Sequence, residues 1–207
     1  MSKAAALAVA FLSGFSIMVL EMVGMRLLAR DFGSSFYVWT SQIGVVLVAL
    51  TAGYLAGGFW ADRFPGPRLP ALLLLPAGIF TLLIPAFAGP VMHAIVARHP
   101  TELEIPIFWQ KLDPALGAAI IFLPPCFVLA TLPPFLIRLG ARDLQEVGRA
   151  SGGIYGAGSA GSIAGVFLSG YVLIDLLPLP QILRATGMLM VALAASCFWL
   201  RPPQPSP

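Results

Sequence analysis

Charge is what this sequence has least of. Asp, Glu, Lys and Arg together make up 10% of its 207 residues, against roughly 25% in a typical soluble domain. A domain of this size leaves much of its surface exposed, and so little charge cannot keep that surface in water. A soluble globular enzyme, a disordered chain and a nucleic-acid-binding module are therefore excluded. Cysteine is nearly absent too. Cys126 and Cys197 each lie inside an apolar run, so no disulfide framework is available. Histidine is limited to His93 and His99, with Glu102 and Glu104 close by. Their spacing matches no recognised metal set, and such histidines are expected to be solvated. No nucleophile, base and acid form a reactive set, and no cofactor is implied.

Hydrocarbon fills the rest. Hydrophobic residues reach 58% and the mean hydropathy is +0.90. A helix needs about 20 apolar residues to cross ~30 Å of bilayer core. Six runs qualify, at about 4–28, 38–61, 69–92, 114–137, 151–174 and 181–200. The first exceeds a signal-peptide core and no small-x-small cleavage site follows it, so it reads as a retained helix. Prolines inside the third and fourth runs are compatible with membrane helices, whose neighbours re-satisfy the freed carbonyls. One sizeable loop, His93 to Asp113, is expected, with a short amphipathic stretch around Ile105, Phe108 and Trp109. Residues 201–207 are proline-rich and are expected to be disordered.

The net charge of +3 reads as topology. With a cytoplasmic N-terminus, that side holds Lys3, Arg63, Arg68, Arg138, Arg142, Arg149 and Arg201. The other side holds Arg26, Arg30, Arg98, Lys111 and Arg184. The positive-inside rule then puts both termini in the cytoplasm, and the bilayer, with no nucleic acid, accounts for the basic excess.

Glycine is concentrated in the second and fifth runs. Gly53 and Gly57, and Gly161 and Gly165, form small-xxx-small stripes that let helix backbones approach closely. Gly156-x-Gly158-x-x-Gly161 matches a dinucleotide fingerprint as a string, but it lies in a membrane span without the strand that gives the motif meaning. Asp62-Arg63, followed by Gly66 and Arg68, resembles the conserved loop between helices 2 and 3 of major facilitator transporters. It reads either as a charged anchor with a local ion pair or as a conformational lock. The connection carrying Arg138, Arg142 and Arg149 reads as a solvated cytoplasmic loop or a docking surface. Glu21 is the outlier, because an ionisable group at that depth normally faces the bundle interior. Arg26 lies about 500° further round the helix, so the two are offset. Arg26, Gln42 and Arg184 are its candidate partners. Such a group either fixes packing or binds a substrate or proton. Asp175 and Arg184, at the outer ends of the last two runs, suggest a structural pair.

A longer resemblance runs through Phe11-Leu12-Ser13-Gly14, Glu21, Arg26-Leu27-Leu28, Phe32-Gly33-Ser34-Ser35 and Trp39. It continues in Gly53-Tyr54 through Asp62-Arg63, in Leu123-Pro124-Pro125 and Leu132-Pro133-Pro134, and in Gly148-Arg149 through Gly170-Tyr171. These stretches resemble the transmembrane portion of bacterial membrane-fused spermidine synthase-like proteins, described as fused major facilitator/spermidine synthases. The resemblance implies an all-α six-helix bundle like half a facilitator, with helices 1–3 and 4–6 as inverted repeats, in a bacterial inner membrane. The family's cytosolic synthase domain has no counterpart in these 207 residues, so none of its catalytic residues carries over. The expected function is a non-catalytic membrane module that anchors or scaffolds a partner, either a synthase-like protein or a larger inner-membrane complex. The alternative is a homodimeric transporter or flippase for a cationic or amine-bearing substrate, with Glu21 as counter-charge.

Overall fold

A computed structural model describes residues 3–64, 66–99, 105–140 and 147–199. All regular structure among them is helical. Six helices are long and apolar enough to cross a membrane. They are α1 (Lys3–Phe32), α2 (Phe36–Arg63), α3 (Arg68–Val96), α4 (Ile107–Gly140), α5 (Val147–Leu176) and α6 (Leu179–Trp199). All six expected runs are therefore helices, and most extend beyond the apolar stretch. Backbone hydrogen bonding continues into the polar boundary, where hydropathy alone marks an end. Gly33, at φ 76°, stops α1 because glycine tolerates the left-handed conformation that turns the chain out of a helix.

The largest difference from the expected boundaries is at α4. It begins at Ile107, so Phe108 and Trp109 belong to it. Pro114 resembles a first-turn proline, but it sits two turns inside. Pro124, Pro125, Pro133 and Pro134 also lie within α4, and Pro76, Pro85 and Pro90 within α3. Each removes one amide from the helical ladder, but the helices continue. Small hydroxyls in the core bond backwards to carbonyls of their own helix. Ser16 donates to the Leu12 carbonyl at 2.8 Å, and Thr81 to Ala77 at 2.8 Å.

The chain order is not the packing order. α5 packs on α1, α1 on α4, and α4 on α2, which makes a row. α3 and α6 pack on each other, with α3 also against α4 and α6 against α1. The two middle members of the row are the core: 56% of the apolar window of α1 and of α4 is buried, against 22% in α2 and 17% in α5. Leu20 and Leu28 of α1, Ile121, Phe122 and Leu129 of α4, and Ile84 and Met92 of α3 are fully buried there.

Glycine sets the helix spacing. A Cβ on Gly53 would stand 2.5 Å from the Phe127 carbonyl oxygen, and one on Gly57 2.7 Å from that of Thr131. On the other flank, Gly161 lies against the Phe11 carbonyl and Gly165 against that of Phe15. Both pairs ascend together along the chain, so α2 runs parallel to α4, and α5 parallel to α1. Between α3 and α6, Gly78 and Gly187 face one another's carbonyls, at 3.1 and 2.9 Å from the added Cβ. Close approach of this kind brings Cα–H groups onto carbonyl oxygens, a recurrent helix–helix contact.

Candidate functional site

The intramembrane polar residues gather on the C-terminal half of α1 and its neighbours. Gln42 of α2 is fully buried. Its amide fills the space that a side chain at Gly24 of α1 would need. Neither Nε2 nor Oε1 finds a hydrogen-bond partner. An unsatisfied buried amide costs about 1–3 kcal/mol, so this placement is expensive. Glu21 precedes Gly24 by three residues and so shares that side of α1. Among the described residues, Glu21 makes no hydrogen bond or ion pair. A third unpartnered polar atom, Ser169 Oγ, sits where α5 widens to a π-helical turn over Ser169–Leu173. Such turns often occur at functional positions.

The structure brings Gln42 to the same part of α1 as Glu21. It does not join Glu21 to either candidate cation. Arg26 is exposed and lines a groove with Arg30 at the C-terminal end of α1. Arg184 is exposed on α6. It forms no ion pair with Asp175 among the described residues.

At the opposite end of the bundle, Arg138 Nε lies 3.5 Å from Asp62 Oδ1, with side chains 57% and 80% exposed. That contact ties the end of α2 to the end of α4, but a pair this exposed contributes little, 0–1 kcal/mol at about the median. Arg63, Arg68 and Arg149 are exposed. Arg142 lies outside the described residues, as do Glu102, Glu104 and the 201–207 tail.

One cluster has no counterpart among the expected sites. Asp113 is buried in α4, not placed in a loop. It accepts a 2.6 Å hydrogen bond from Arg98 Nη2 and stands 2.7 Å from His99 Nε2. Arg98 also lies over the Trp109 ring, 5.2 Å from its centroid. His99 is therefore bonded, not solvated. The signal in the sequence was the Trp109–Asp113 spacing of one helical turn, hidden by Asp113-Pro114 looking like a helix start. The cluster ties the end of α3 to the first turns of α4. Among the described residues, no three His, Cys, Asp or Glu side chains gather as a metal site.

The fold defines a class, the multi-pass helical membrane proteins, with Gln42, Asp113 and Ser169 buried inside its bundle. Comparison with protein-family models, curated proteins and solved structures finds no match for this chain.

Proposed function

We propose that the chain is a non-catalytic membrane module that holds a second protein in the bilayer. The observation that supports this reading is the uneven burial of the row. α1 and α4 are spent on the core, while α2 and α5 keep broad apolar and aromatic faces. Leu55 and Phe59 on α2, and Phe167 and Tyr171 on α5, are more than half exposed. Rigid glycine contacts hold those faces in place, which suits a platform. On this reading the partner is synthase-like or part of a larger inner-membrane complex, and both termini are cytoplasmic.

The half-facilitator architecture is part of the same proposal. If α1 is exchanged with α4, α2 with α5 and α3 with α6, the principal packing pairs map onto one another. The α1–α5 contact becomes α4–α2, α1–α6 becomes α4–α3, and α3–α6 maps onto itself. The glycine contacts follow the same exchange. This supports inverted three-helix repeats.

Purification from native membranes in mild detergent tests the function. A stoichiometric second protein is expected, and recovery of this chain alone would sink the scaffold. A transport reading is favoured by one specific observation: the unpaired Glu21 carboxylate on the side of α1 that buries the unpartnered Gln42. On that reading two copies form a pathway for a cationic or amine-bearing substrate. Uptake into proteoliposomes, abolished by Glu21→Gln with the fold retained, is its expected result. The scaffold predicts no such uptake.

A further inference from the structure

The C-terminal ends of α1 and α5 and the start of α6 flank an open groove of about 420 Å³, within the range of about 300–1,000 Å³ common for ligand sites. Its lining is divided. Arg26 and Arg30, one helical turn apart on α1, line one wall, with Ser34 beyond them. Ile174, Leu177 and Leu179 supply an apolar wall from the α5–α6 connection. Neither arginine makes an ion pair or hydrogen bond among the described residues. The nearby carboxylates, Asp31 and Asp175, do not line the groove. Leu179 also opens α6, whose N-terminal end adds positive potential.

We propose that this groove binds one anionic phospholipid, with its phosphate between Arg26 and Arg30 and an acyl chain along Ile174, Leu177 and Leu179. The chemistry fits at each point. Guanidinium groups match phosphate oxygens in a planar, two-pronged geometry. The groove stands at the end of apolar helices, where a headgroup and its first methylenes meet protein together. A free inorganic anion would use the arginines but gain nothing from the leucines. The mirrored arrangement sharpens the contrast: at the other end, the matching junction of α4 with α2 is bridged by Arg138 and Asp62, while here the arginines remain unpaired.

Lipid retention by the full chain in detergent tests this, read by native mass spectrometry during titration with phosphatidylglycerol or phosphatidylcholine. The wild type is expected to prefer phosphatidylglycerol. Each guanidinium removed should weaken its binding roughly fivefold, and Arg26→Gln with Arg30→Gln together about 25-fold. Both side chains are exposed, and a thermal melt checks that the double variant folds. Leu177→Asn, with both arginines intact, should weaken phosphatidylglycerol but not inorganic phosphate. Arg63→Gln with Arg68→Gln should leave the preference intact. The proposal is overturned if the wild type shows no preference or if the Arg26/Arg30 variant retains it. It is also overturned if the Arg63/Arg68 variant loses the preference equally, which would mean diffuse attraction. Full displacement by inorganic phosphate, with no effect of Leu177→Asn, would mean a free-anion site and overturn it as well.

Discussion

Asp113 and Gln42 show two opposite ways of burying a polar side chain. The Asp113 carboxylate is satisfied by Arg98 and His99. Asp113→Asn keeps the shape but removes the charge from both contacts, and should cost about 1.5–3 kcal/mol. Arg98→Gln should cost less, because Arg98 is 44% exposed and water already screens it. Thermal melts of both variants in the same detergent check that order. Gln42 is the reverse, since its amide has no partner. Gln42→Met has similar volume and no polar atoms to desolvate, so it should leave stability equal or higher by about 1–3 kcal/mol. A lower melting temperature would show that Gln42 has a partner in the native membrane. Reading the sequence found Glu21 because a charge inside an apolar run is conspicuous. Asp113 escaped because Asp113-Pro114 looks like a helix start, and because its partners Arg98 and His99 lie across a loop.

On the scale of one helix, adjacent glycines have different jobs. Gly57 faces Thr131 of α4, while nothing lies within 4 Å of a Cβ at Gly58. Gly57→Ala must push α2 away from α4, and overpacking of this kind costs about 1–3 kcal/mol. Gly58→Ala meets open space and should instead stabilise the helix by about 0.5–1 kcal/mol. Paired thermal melts test the sign of each, and equal effects would contradict the α2–α4 contact. The small-residue spacing was legible in the sequence, but which helix each stripe faces was not. Contacts between Gly53 and Phe127, or Gly161 and Phe11, join segments far apart in the chain. The π-helical turn at Ser169–Leu173 was illegible for a different reason. Its residues suit an α-helix as well, so nothing in their pattern marks the change of pitch.

For the whole molecule, the interleaved packing carries a consequence for folding. Membrane spans and their number follow from hydropathy, because the bilayer sets one required length. Which helices touch does not follow, because lipid-exposed and protein-facing residues are equally apolar and periodicity carries little information. Here the consequence is specific. α2 makes its main contacts with α4, α5 with α1, and α3 with α6. Within the first three helices, the main contacts are those of α1 with α2 and a weaker touch of α1 on α3. Neither half therefore holds a core of its own, and most of the apolar packing crosses between halves. A chain divided within 100–104, between α3 and α4, should fail to accumulate as either fragment alone. Co-expressed fragments should insert separately and reassemble, because each helix finds its partner in the other piece. Co-purification of the two fragments, lost with Gly161→Leu on the α1–α5 contact or Gly57→Leu on the α2–α4 contact, would establish the interleaving. A stable, protease-resistant N-terminal fragment would show that the halves fold as separate units, contrary to the packing.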